Sequence, residues 1–116
     1  MSDEILDLND FMERVQNDKE LLLELLDIFI SDFEEKRKEL EGAFNKNDAT
    51  TVEHVAHFLK GSCGNISAGT LRQLFMELEK KGRNCDLSGK EKYLSDIDRE
   101  FEQLVTYIGE IRGQLQ

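Results

Sequence analysis

The residues able to do chemistry in this chain concentrate between positions 53 and 64. Imidazole is a nucleophile in its neutral form, and the 116 residues hold only two histidines, His54 and His57. On a helical wheel at about 100° per residue, Val52, Val55, Leu59, Cys63 and Ile66 gather on one face as a core stripe, and His57 falls opposite it. Lys60, Gly61 and Gly64 share the outward side with His57, which gives the imidazole a cation one turn away and two neighbours without side chains. Each interior glycine costs a helix about 1 kcal/mol relative to alanine. An outward face gains nothing from that cost unless something must come close to it. The apolar stripe runs on through Cys63 and Ile66, so the helix is expected to continue past Gly61.

A neutral imidazole beside a lysine suits phosphoryl chemistry. Its reference pKa of about 6.5 leaves a usable neutral fraction near pH 7. Phosphoryl transfer asks mainly for in-line placement and charge neutralisation, both of which a rigid helix face can help to provide. Two other readings compete. Glu53-His54-x-x-His57 is half of a metal site of the kind built in carboxylate-rich bundles, although the other helices lack the matching Glu-x-x-His. A purely structural interaction bundle would explain the amphipathic pattern but not the glycines opposite the core. A lone histidine is most often an ordinary surface residue, and glycines after a helical run often do no more than cap it.

The run His57-x-x-Lys60-Gly61-Ser62 with Ile66-Ser67-Ala68, followed by Leu71, Leu74, Leu78 and Glu79, resembles the signature of histidine phosphotransfer (HPt) domains, the phosphohistidine carriers of multistep two-component relays. Phe11-Met12-Glu13-Arg14-Val15 and Asp18-Lys19-Glu20-Leu21-Leu22 are similar to the same family, so the resemblance covers nearly the whole chain. It implies that His57 takes a phosphoryl group from a receiver-domain aspartate and passes it to another. Lys60 would stabilise the phosphoryl charge, and Gly61 and Gly64 would leave room for the docking partner. Glu79, 22 residues beyond His57, would accept a hydrogen bond from the other ring nitrogen; on the residues alone, a surface glutamate fits as well. The partners implied are receiver domains of response regulators or hybrid sensor histidine kinases, met by a cytoplasmic monomer. No phosphate-binding glycine loop or metal-ligand cluster is evident, so no cofactor and no kinase machinery are expected here, and magnesium would sit on the partner receiver. One departure stands out: Ser67 occupies a position where the family commonly has glycine, and Ile66 replaces the usual leucine. Both bear on the turn after the helix.

Length and composition agree with this. A chain of 116 residues suits a single domain, 1–116, with a core of the four-helix-bundle kind, and the absence of proline with 34% charged residues favours regular helix. No 18-residue apolar run and no basic-then-apolar N-terminus occurs, which argues against a membrane span or signal peptide. The net charge of −10 argues against nucleic acid. That charge is uneven: residues 60–92 sum to +3 and the rest to −13, so the segment after His57 is suited to an acidic partner. Cys63 and Cys85 lack zinc-site spacing and read as reduced thiols, with Cys63 a small buried hydrophobe.

The pattern predicts an all-α fold, an antiparallel four-helix bundle with a short additional N-terminal helix. Asn9 is the expected cap of that short helix, with Phe11 and Val15 on its apolar side. Asn17 or Asp18 starts the longest helix, to about Phe44, whose core residues are expected to be Leu21, Leu22, Leu25, Ile28, Phe29, Phe33, Leu40 and Phe44. The charged run 34–39 reads as solvated surface. Thr50-x-x-Glu53 resembles a capping box for the helix carrying His57. A turn around Ser67–Thr70 leads to a helix from about Ala68 to Arg83 with Leu71, Leu74, Phe75 and Leu78 inward, then a loop from Gly82 to Gly89. Ser88-x-x-Glu91 is a second capping box, before a final helix with Leu94, Ile97, Phe101, Leu104, Ile108 and Ile111 at heptad-like spacing. That spacing also fits a coiled-coil dimer, but three further amphipathic segments need partner faces, and an intramolecular bundle is the simpler account.

Overall fold

The computed structural model describes residues 5–115; residues 1–4 and 116, the two ends of the expected domain, lie outside the described residues. Five helices account for it: α1 Leu8–Arg14, α2 Lys19–Asn45, α3 Ala49–Asn65, α4 Gly69–Arg83 and α5 Lys90–Leu115. The fold is all-α, a helical bundle with a short N-terminal helix. None of the described helices is long and apolar enough to cross a membrane.

Aspartates start three of the helices. Asp7, Asp18 and Asp48 each accept from the backbone N–H three residues on, at 3.1, 3.0 and 3.1 Å, which satisfies one of the orphan donors of a first turn. Asn9 is therefore inside α1 and not its cap. The expected Thr50–Glu53 box is likewise replaced by Asp48, which also takes the Thr51 hydroxyl at 2.6 Å, while Glu53 turns to Arg83. Ser88 binds Asp86 at 2.6 Å, and α5 begins instead behind Gly89 (φ 77°), whose carbonyl accepts from Tyr93 N–H.

Helix ends share a second device. Asn47, Ser67 and Cys85 follow α2, α3 and α4 with φ of 55°, 60° and 56°. After each, the next N–H reaches back five residues to a helix carbonyl: Asp48 to Ala43, Ala68 to Cys63, Asp86 to Lys81. At Ser67 the left-handed conformation costs a non-glycine residue roughly 1 kcal/mol. Its hydroxyl donates to Asp10 at 2.5 Å and its carbonyl accepts from Asp7 N–H at 2.9 Å, so α1 secures this turn.

The core seam of α2 differs from expectation. Leu22, Leu26, Phe29, Phe33 and Leu40 are buried, whereas Leu21 and Ile28 are exposed and Leu25 is half-buried. Leucine fills almost every position from 21 to 26, so periodicity alone left the inward face open. Phe33 stacks on Phe101 of α5 at 3.9 Å between centroids and meets Phe75 of α4 edge-on at 6.0 Å, joining three helices. The charged run of α2 also does more than meet solvent. Arg37 grips Asp98 of α5 through two nitrogens at 2.7 and 2.8 Å, in a ladder with Asn45–Lys90 above and Asp27–Arg112 below.

Helices α3 and α4 make the most extensive contact, and Gly82 is the reason they can. It lies within α4, buried, not at the start of a loop. A Cβ there would stand 2.8 Å from Glu53 N and 2.9 Å from Glu53 Cα on α3. Gly82→Ala should accordingly destabilise the protein by about 1–3 kcal/mol through overpacking against backbone. Gly61→Ala, where a Cβ meets nothing within 4 Å, should stabilise it by up to about 1 kcal/mol. Urea unfolding of the two variants gives opposite shifts in midpoint if this account of the interface holds, and shifts of the same sign if it does not.

Candidate functional site

The close α3–α4 approach brings the carboxylate of Glu79 beneath His57. Glu79 is buried, with its side chain 8% exposed, and α4 aims it at the middle of α3. Its Oε2 lies 2.8 Å from His57 Nδ1 and its Oε1 2.7 Å from Lys60 Nζ. Arg83, one turn further along α4, adds a longer contact of 3.4 Å to Oε2 and reaches Glu53 of α3 at 3.3 Å. A carboxylate out of water needs such partners.

Lys60, first, and then the hydrogen bond from His57 hold the Glu79 carboxyl below the ordinary glutamate range, against the opposing effect of burial. Glu79 is therefore ionised near neutrality and can only accept. His57 Nδ1 must donate, so in the neutral ring the lone pair resides on Nε2. Among the described residues no hydrogen-bond partner meets Nε2, and the His57 side chain is 68% exposed. The result is a nucleophilic nitrogen turned to solvent, with its tautomer fixed from behind.

The five residues singled out in the sequence fall as follows. His57, Lys60 and Glu79 form one bonded cluster. Gly61 presents open space on the same helix. Gly64 is further along, half-buried, where a Cβ would touch the Arg72 side chain at 3.5 Å, so its surroundings are partly occupied by a cation. His54 lines the groove beside His57 with Glu53, Phe58 and Glu79 but does not share the carboxylate contact. Glu53, the third member of the alternative metal half-site, is engaged by Arg83, and no cluster suited to a metal ion is found among the described residues.

Sequence reasoning missed two features. Arg83 joins the cluster from a position four residues after Glu79, a spacing that would have suggested the pair. Apolar surface also flanks the site: Phe58 is 43% exposed beside His57 with Lys36 Nζ over its ring at 4.8 Å, and Ile28, 54% exposed, borders a groove with Leu25, Ser62 and Asn65. The three- and four-residue spacing of α2 assigns Ile28 to the core, which hides this patch.

An exposed, carboxylate-backed histidine on a helical bundle is an arrangement suited to carrying a phosphoryl group. Comparison with known proteins identifies the kind. The family model described as "Hpt domain" matches residues 24–111. The crystal structure of histidine-containing phosphotransfer protein B (HptB) from Pseudomonas aeruginosa PAO1 superposes with a TM-score of 0.87 at 27% identity, covering 95% of this chain and 96% of that one. The phosphorelay intermediate protein rdeA of Dictyostelium discoideum is 27% identical over 97 residues, 84% of this chain but 38% of its own length, so the chain spans well under half of that relative. The chain belongs to the Hpt domain family. Its fold and its family are those of the histidine-containing phosphotransfer domains.

The depressed Glu79 carboxyl has a consequence for stability. Its contribution is fully present above the unfolded value of about 4.3 and is lost as the pH falls through the lower folded value. Wild type should therefore lose more stability than Glu79→Gln below about pH 4.3. Urea unfolding from pH 7 to 3 checks this; parallel curves for the two proteins would mean that Glu79 does not stabilise the fold as an anion.

Proposed function

We propose that His57 Nε2 is the phosphoryl acceptor, taking the group from the aspartyl phosphate of a receiver domain and returning it to another. The carrying observation is the 2.8 Å contact that fixes the hydrogen on Nδ1 against an ionised, buried Glu79 while Nε2 faces solvent. Attack forms the N–P bond as the acyl P–O bond breaks and the partner's aspartate leaves as a carboxylate. The ring, still protonated on Nδ1, then carries positive charge, which the Glu79 carboxylate stabilises from behind. Lys60, one turn from His57, brings a further positive charge to the site.

Receiver domains of response regulators or hybrid sensor histidine kinases are the partners this reading requires, with magnesium held on their side. Gly61, and Gly64 with Arg72 beside it, mark where the partner's active-site loops approach. The exposed apolar residues Phe58, beside the acceptor, and Ile28, in the groove with Ser62 and Asn65 further along α3, form the docking surface. The pairings 45–90, 37–98 and 27–112 between α2 and α5, and of Gly82 with Ala49 and Glu53 between α4 and α3, support an antiparallel four-helix bundle of α2–α5. We take residues 1–116 as one such domain, a cytoplasmic monomer.

Labelling from phosphorylated receiver domains tests the acceptor. His57→Gln should abolish it with helicity intact; label that survives there but disappears in His54→Gln would overturn the assignment. Gly61→Gln should fold normally yet accept phosphate from a receiver at least about tenfold more slowly, since about 1.4 kcal/mol of lost approach suffices for that. Ile28→Glu should slow receiver-dependent transfer while leaving labelling by a small phosphoryl donor unchanged. Wild-type receiver kinetics in both variants would refute the docking face.

A further inference from the structure

Six arginines lie among the described residues, and five of them are ion-paired: Arg14 with Asp10, Arg37 with Asp98, Arg83 with Glu79, Arg99 with Asp96 and Arg112 with Asp27. Arg72, on α4, is the exception: it is exposed, and no carboxylate among the described residues meets it. Its side chain nonetheless has a defined seat. A Cβ on Gly64 would stand 3.5 Å from Arg72 Nε and 3.6 Å from its Cδ, so the stem lies along the bare backbone of α3 at that point. Burial pushes the Cys63 thiol up, and the Arg72 charge acts on it in the opposite sense, which puts the guanidinium on the same stretch of α3. Gly64 is seven residues beyond His57, two turns along the same outward side and about 10 Å away by helical rise. Lys60 and Arg83, the cations nearer the ring, are already engaged, the first by Glu79 and the second by Glu79 and Glu53. An arginine left unpaired in a chain of net charge −10, where acids outnumber bases, is available to a carboxylate that comes from outside.

We propose that Arg72 is a specificity-determining residue for the receiver: it pairs with a carboxylate on the docking receiver's surface, two helical turns from the reacting groups, and takes no part in the chemistry at His57. The inference deepens the receiver docking proposed above and rests on it. With Nε over Gly64, the guanidinium meets the partner away from the transferred group. A planar fork held flat on a helix has little freedom left to lose when a carboxylate arrives, so it favours receivers that carry one in register and penalises those that present a cation there. Gly64 then has a role within the chain as well as towards the partner, because a large side chain there would lift Arg72 off α3.

A panel of phosphorylated receiver domains tests this, with kinetics followed on the one that labels wild type fastest. Arg72→Met keeps a stem over Gly64 and removes the charge. It should melt as wild type does, since no internal ion pair is lost, and accept phosphate about fivefold more slowly from subsaturating receiver, with the rate at saturation unchanged. Arg72→Lys should recover most of that loss, and Arg72→Glu should deepen it. The difference should vanish in about 1 M salt, where the screening length is about 3 Å. Phosphoramidate, whose P–N bond breaks with release of ammonia as the new N–P bond forms at His57 Nε2, needs no docking and should label Arg72→Met at the wild-type rate. An arginine that only covers Gly64 would leave Arg72→Met as fast as wild type with the receiver. That result, or equal slowing with receiver and phosphoramidate, or a loss that persists in high salt, would overturn the proposal. Wild-type protein that takes no label from either donor, or label that persists in His57→Gln, would instead remove the acceptor reading on which it rests.

Discussion

A single buried carboxylate organises the functional half of this molecule. Glu79 is the one buried charged side chain among the described residues, and a charge in that position is tolerated only when paired. Its partners come from two helices: Lys60 and His57 from α3, Arg83 from its own α4. The pairing therefore works as an interhelical clamp and as a means of setting the histidine tautomer. Neither role survives if α3 and α4 separate, and the distance between them is set three residues further on, where Gly82 lets the α3 backbone come within what would be 2.8 Å of a Cβ. A missing side chain at 82 and a charged one at 79 are thus parts of the same device.

That arrangement explains how little the domain needs beyond a well-placed ring. Nucleophilicity on Nε2 follows from a proton held on Nδ1, and the proton is held by a group that stays ionised because Lys60 stabilises it. With His57 as the proposed acceptor, no base has to move during transfer. The similarity to the Pseudomonas aeruginosa HptB structure, a TM-score of 0.87 at 27% identity, fits a fold maintained by pattern and volume while most individual residues vary. Here Phe33, Phe75 and Phe101 contribute to that volume, with rings that meet between α2, α4 and α5.

What could be read from the sequence followed what a helix repeats. The outward placement of His57, Lys60 and Gly61 came directly from the wheel, because all three lie within about one turn of a helix whose core stripe is unambiguous. Continuation of α3 to Asn65 could be read from Cys63 and Ile66. Glu79 was reached only through resemblance, since a contact between residues 22 apart depends on how two helices cross, and the element that fixes the crossing is a glycine that looked like the start of a loop. The α2 seam was ambiguous because leucines at 21, 22, 23, 25 and 26 leave no polar face to orient them, and that ambiguity concealed Ile28. Capping boxes misled at Thr50 and Ser88 because an aspartate two residues earlier takes nearby donors instead: Asp48 accepts from the N–H and hydroxyl of Thr51, and Asp86 from those of Ser88.

The departure at Ser67 shows how such local exceptions are absorbed. A left-handed conformation after α3 is required by the bond from Ala68 N–H to Cys63 O, which closes the helix, and glycine would adopt it without strain. Serine does not, but it has a hydroxyl, and α1 supplies Asp10 to receive it together with the N–H of Asp7 for the Ser67 carbonyl. The short N-terminal helix is thereby tied to the end of α3 by polar contacts, in addition to burying Phe11. The turn in question leads α4 away from α3 at the register that later places Glu79 under His57. A residue choice that looks unfavourable locally is therefore offset by an element whose other contacts are few, which gives α1 a reason to be present in a bundle whose core is otherwise built from α2 to α5.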